Sequence, residues 1–147
     1  MPLPFELDEF VKNAGDAIIG ANAEGSIVLW NTAAERIFGY GESEALGKSL
    51  DLIIPERFRQ RHWDGYREVM RTGQTQYGAR VLRVPAAHKD GRALSIAFTV
   101  TLIRSPENSV QAIVAIVRDE TERWQEERGL RQRVAELEGA ARKPAQD

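Results

Sequence analysis

Residues 53–73 read IIPERFRQRHWDGYREVMRTG. Pro55 near the start and Gly73 at the end are the usual start and stop marks of a helix. Phe58, His62, Tyr66, Val69 and Met70 recur at steps that place them on one helical face. Arg57, Arg61, Asp64, Glu68 and Arg71 take the opposite face. A helix that faces a core fills its inner positions with aliphatic side chains, and this one places a histidine there. The segments around it read as short strands and turns that can form a wall opposite that face. The sequence therefore poses one question first: whether His62 faces a ligand.

The chain has 147 residues, enough for one domain with a proper core. Twenty basic residues against 22 acidic ones leave a net charge of −2, which gives no reason to expect nucleic acid or an acidic membrane as partner. No apolar run has the length to span a bilayer, and MPLPFELDEF lacks the pattern of a signal peptide, so the cytoplasm is the expected location. The absence of cysteine excludes disulfides, thiolate metal sites, cysteine nucleophiles and cysteinyl-adduct photochemistry.

Upstream of the long helix, Phe5, Leu7, Phe10 and Val11 predict a short amphipathic helix, giving an N-terminal unit over 1–15. AIIGAN (17–22) and SIVLW (26–30) predict a hairpin with Gly25 in the turn. Asn31 predicts a helix N-cap, with Gly39 as its stop. Residues 43–46 read as one more helical turn and 50–54 as extended chain.

Downstream, residues 78–85, 93–103 and 110–117 predict an antiparallel meander, with Asp90-Gly91 as a hairpin turn. Leu94, Ile96, Phe98, Val100 and Leu102 alternate onto one face. Ile113, Val114, Ile116 and Val117 form a nearly unbroken apolar run, as in a strand buried on both faces. One long helix cannot cover five strands, so the short helices share one face with it. The folded unit spans 16–119. Residues 120–141 predict an amphipathic helix with Leu130, Val134 and Leu137 at coiled-coil spacing, and 142–147 a disordered tail.

In this order, the quoted pieces resemble the PAS sensor domain. They are Asp16-Ala17-Ile18-Ile19, Trp30 through Tyr40 (WNTAAERIFGY), Glu44-Ala45-Leu46-Gly47, Ile54-Pro55-Glu56, Lys89-Asp90-Gly91 and Arg118-Asp119-Glu120-Thr121-Glu122-Arg123. The resemblance runs from about Phe5 to Arg123. It implies an α+β fold: a five-stranded antiparallel sheet, helices on one face, a pocket between them and a C-terminal signalling helix. It implies a sensory module for signal transduction or transcription regulation.

Pro55-Glu56 followed by Arg59, Arg61 and His62 resembles the oxygen-sensing haem PAS domains, whose proximal histidine sits on this helix. The chain departs from that pattern on the next strand: alignment through Gly78 places Val81 where those sensors carry an arginine, and Arg80 and Arg83 face otherwise in a regular strand.

Two readings of His62 follow. It is a packed helix histidine, or it is the iron ligand of haem b, binding a diatomic gas. On the haem reading Tyr66, Val69, Met70, Tyr77, Val81, Ile96, Phe98, Val100, Val114 and Ile116 line the cofactor, and Trp63 belongs to the core or rim. His88, in a turn, is expected to be exposed. No nucleophile–base pair appears, so no catalysis is expected. The expected partners are a small ligand or haem-bound gas, a second copy of the chain, and a separate effector acted on in trans, since no output segment follows Asp147. The alternative is a ligand-free interaction and dimerisation module.

Overall fold

A computed structural model describes residues 2–75 and 78–142. Tyr77 and the expected tail, apart from Arg142, lie outside the described residues. The elements are α1 (Leu7–Asn13), β1 (Ala17–Asn22), β2 (Ile27–Trp30), α2 (Thr32–Phe38), α3 (Glu42–Ala45), a 3-10 turn (Leu50–Ile53), α4 (Glu56–Thr72), β3 (Leu82–Ala87), β4 (Ala93–Arg104), β5 (Val110–Asp119) and α5 (Thr121–Arg142). The strands form one antiparallel sheet in the order β2-β1-β5-β4-β3. No described helix is long and apolar enough to cross a membrane.

Register decides which side chains meet the helices, because residues paired across antiparallel strands share a face. Ala17 pairs with Val117 and Ile19 with Ala115, and across β4 Phe98 pairs with Val117 and Val100 with Ala115. This inner face joins one buried core with Trp30, Ala33, Ala34, Phe38, Ala45 and Ile53. The alternation read for residues 94–102 therefore holds.

The exit strand differs from its reading. Val114 pairs with Gly20 and Thr101, and Ile116 with Ile18 and Thr99, so both lie on the outer face. A Cβ placed on Gly20 would stand 3.0 Å from Leu29 Cβ and 3.5 Å from Val114 Cγ2, which puts these residues side by side there. Ile116 is 47% exposed, not buried. The N-terminal helix does not cover it. α1 rests against α2, and Phe5 and Phe10 stay exposed.

Local chemistry explains the other shifts. Ser49 Oγ accepts the Asp51 N–H at 3.1 Å and draws 50–53 into a 3-10 turn where extended chain was expected. Gly78, at φ +54, leaves extended geometry, so β3 starts at Leu82 and not near residue 78. Pro85 is tolerated because β3 is an edge strand.

Asn31 ties the N-terminal segment to the sheet. Its Oδ1 accepts from Ile18 N at 2.9 Å and Ala34 N at 3.1 Å, and its Nδ2 donates to Val11 O at 2.9 Å and Asp16 O at 3.1 Å. It caps α2 as expected. Gly39 ends α2 in the left-handed region.

Candidate functional site

α4 starts after Pro55 and ends at Gly73, whose N–H donates to Val69 O at 2.8 Å. Arg59 fixes its start, donating to Ile54 O at 3.0 Å and Asp51 O at 3.2 Å. Arg104, at the end of β4, donates to the Gly73 carbonyl and fixes its end. Between these anchors the α4 backbone runs beside no strand over as long a stretch as α2 runs beside β1.

The sheet opposite is correspondingly underfilled. Phe98, Val100 and Leu102 of β4 and Ile113 and Ala115 of β5 lie on the inner face but are only half-buried. On α4 the face of Phe58, His62, Val69 and Met70 is half-buried, and Tyr66 is buried. A half-buried apolar helix face and a half-buried apolar sheet face are the elements from which a ligand cleft can be built.

His62 is the polar exception on that face. Its Nδ1 is buried and has no hydrogen-bond partner among the described residues. Burial pushes its pKa below the ordinary histidine value, and the Asp51 carboxylate opposes the shift. A neutral imidazole with an unpartnered buried nitrogen carries an unmet demand for a partner. Its ring stands edge-on to Trp63, with centroids 4.7 Å apart and planes at 80°, and 5.7 Å from the Tyr66 ring. Trp63 Nε1 donates to Asp51 Oδ1 at 2.7 Å, and the Tyr66 hydroxyl donates to Asn22 O at 2.5 Å. Burial, with Glu24 adding, pushes the Tyr66 hydroxyl up to about 12, so it remains a donor.

A haem at this place would require a neutral imidazole, an apolar opposite wall and no competing bond at the histidine. The chemistry of His62, Val69, Met70, Phe98 and Val100 fits these requirements. Ile96 borders the cleft but is already buried in the core. Val114 and Ile116 leave the expected lining, because the register turns them outward. Val81 precedes β3 and is 47% exposed. Leu102, Ile113 and Ala115 join the wall. The phase of β5 could not be read from its continuous apolar run, but pairing with the alternating β4 supplies it.

His88 is not exposed as expected. Its side chain is 12% exposed, accepts the Asp90 N–H at Nδ1 at 3.1 Å and lies against Gly39, where a Cβ would come within 2.6 Å of its Cε1. Beside it Lys89 donates its N–H to Phe38 O at 3.0 Å and its Nζ to Glu44 at 2.6 Å. His88 thus closes the end of α2, away from His62. Among the described residues no cluster of three metal-ligating side chains exists.

The known proteins similar to this chain agree with the geometry. The sensor protein FixL of Bradyrhizobium diazoefficiens is 32% identical over 123 residues, which cover 83% of this chain and 24% of that protein. The oxygen sensor protein DosP of Escherichia coli is 29% identical over 105 residues, 71% of this chain and 13% of that protein. The chain thus spans a quarter or less of the length of these relatives. A PAS domain from Colwellia psychrerythraea superposes with a TM-score of 0.68 at 20% identity, covering 78% of this chain and 94% of that one. The PAS fold family profile matches residues 6–119. With a five-strand sheet in the order 2-1-5-4-3, helices on one face and a long exit helix, the chain belongs to the PAS fold family.

Proposed function

We propose that this PAS sensory module holds haem b between α4 and the inner faces of β4 and β5, with His62 as the iron ligand. The observation that carries the reading is the placement of His62, a half-buried neutral imidazole, on the otherwise apolar inner face of α4. The similarity to a protein named an oxygen sensor supports the same reading. The neutral state of His62 leaves it competent to donate to a metal. Val69, Met70, Phe98, Val100, Leu102 and Ile113 would hold the macrocycle and exclude water. When bound, the haem supplies an iron site open to a diatomic gas. α5, which continues directly from β5, carries the state of the cleft to a separate effector in the cytoplasm.

Purified protein grown with haem supply should show a Soret band. His62→Ala should abolish it, and His88→Ala should leave it intact. A wild-type spectrum with the aromatic protein band alone overturns the haem reading.

A second reading, an interaction and dimerisation module, is favoured by one observation. Leu130, Val134 and Leu137 lie on one stripe of α5 and are 61%, 52% and 68% exposed. On this reading two copies pair through α5, with Phe5 and Phe10 adding contact. Sedimentation should give a homodimer that weakens on Val134→Glu or truncation after Arg123. A truncated form that dimerises as tightly as the full chain removes α5 from the contact.

A further inference from the structure

A ligating histidine is ordinarily oriented by a hydrogen bond from its second ring nitrogen to a carboxylate, carbonyl or water. His62 Nδ1 makes no such bond within the described chain. Within the described chain its ring is oriented by packing against Trp63 and Tyr66, and that packing is itself anchored.

Trp63 is held on two sides. Its indole N–H donates to Asp51 Oδ1 at 2.7 Å. Its six-membered ring is seated on Gly25, where a Cβ would lie 2.2 Å from Cη2 and 2.3 Å from Cζ3. Gly25 has φ +84, so any side chain there would be strained as well as obstructive. Tyr66, one turn further along α4, stands 5.2 Å from Trp63 and 5.7 Å from His62, and its hydroxyl is fixed on Asn22 O. Asn22 and Gly25 belong to one tight turn: Gly25 N donates to Asn22 O at 2.9 Å, and Asn22 Oδ1 accepts from Glu24 N at 3.1 Å and Ser26 N at 3.0 Å. The rings of Trp63 and Tyr66 therefore transfer the rigidity of the β1–β2 turn and the 3-10 turn to the imidazole.

We propose that Trp63 and Tyr66 are positioning residues for His62, bracketing its ring through anchors on Asp51, Gly25 and Asn22. The proposal rests on the reading of His62 as the ligand-binding histidine. It is tested separately from that reading, on the haem-free full chain.

The chain has two histidines, so ring-labelled histidine gives two sets of carbon–proton resonances, and His88→Gln assigns them. In wild type the His62 ring should relax as a rigid group. In Gly25→Ala and Asp51→Leu it should relax as a mobile side chain. Asp51→Asn, which keeps the acceptor oxygen, should retain rigidity, a rescue that a merely structural role of Asp51 would not predict. Trp63→Phe, which keeps a ring but loses the donor, serves as the milder variant should Gly25→Ala fail to fold.

Haemin titration is the second readout. The loosened variants should bind about 10- to 100-fold more weakly than wild type, the usual cost of losing a ligand's outer support. A His62 ring that stays rigid in Asp51→Leu and Trp63→Phe overturns the proposal. Loss of rigidity in a protein whose wild type binds no haemin overturns the haem reading and leaves the positioning intact.

Discussion

One face of one sheet is packed in two ways. Toward β1 and the start of β4, the inner face is sealed: Ala17, Ile19, Leu94, Ile96 and Val117 are at most 6% exposed beneath α2, α3 and the 3-10 turn. Toward the end of β4 and the start of β5, Phe98, Val100, Leu102 and Ile113 lie on the same inner face and stay half-buried. The difference lies in the covering helices. α2 carries Ala33 and Ala34 toward β1, and small side chains allow close approach. α4 carries Phe58, His62, Tyr66 and Met70, and is held at its two ends by Arg59 and Arg104. The sealed half supplies stability, and the propped half leaves apolar surface partly uncovered.

This contrast can be broken or sharpened by substitution. Trp30 is fully enclosed in the sealed half, 5.6 Å from Phe38, with its indole N–H donating to Tyr40 O at 2.9 Å. Trp30→Ala should cost about 3–5 kcal/mol in urea denaturation. A loss below about 1 kcal/mol would show that the sealed half is not the principal core.

Asn31→Ala should follow. It removes the cap of α2 and leaves the Ile18 and Ala34 N–H groups without their acceptor, an expected loss of about 2–3 kcal/mol. Asn31→Asp, which keeps the acceptor, should recover part of it; a stability equal to that of Asn31→Ala would show that the acceptor is not what matters.

The propped half should respond to pH. The folded pKa of His62 is depressed, so the unfolded chain binds the proton first as pH falls. The stability this group contributes is present above the unfolded value near 6.5 and is lost as pH falls through it toward the lower folded value. Urea midpoints at about pH 7.5 and about 5.5 should separate in wild type, and by less in His62→Leu. Equal separation in both proteins would exclude His62 as a source of the pH dependence.

The smallest effects belong to the open surfaces. Val100→Ala should cost about 1 kcal/mol, because its neighbours leave it half-buried. Ile116→Ala, on the exposed outer face of an isolated chain, should stay within about 0.5 kcal/mol.

The sequence made the sealed half legible because its signals are local. Alternation in 94–102, the Asn31 cap, the Gly39 stop and the Asp90-Gly91 turn all act within a few residues. The propped half was legible as a helix with a histidine on its inner face and as the alternating face of β4 with Phe98 and Val100, but the phase of β5 was not. Val114 and Ile116 were misassigned because a continuous apolar run has no phase until a partner strand supplies one. His88 was misread because the groups that bury it, Gly39 above all, arrive from another part of the chain. The grip of Asp51 and Gly25 on Trp63 depends on the same kind of distant approach, and no pattern in the sequence marks it.

The sheet order has a kinetic consequence. β1 and β5, the first and last strands, are neighbours, and Ala17 pairs with Val117 across a hundred positions of chain. The hairpins β1–β2, β3–β4 and β4–β5 close short loops, whereas this one seam closes nearly the whole domain. Loop-closure entropy makes it the costly contact to form and a natural limit on folding speed. The bidentate ion pair of Arg118 with Asp16, both bonds at 3.1 Å, sits at the end of that seam where the chain enters and leaves. A circular permutant that links β5 to β1 and opens the chain in the connection between α3 and the 3-10 turn would turn the longest-range pairing into a local one. It should fold faster than the natural order.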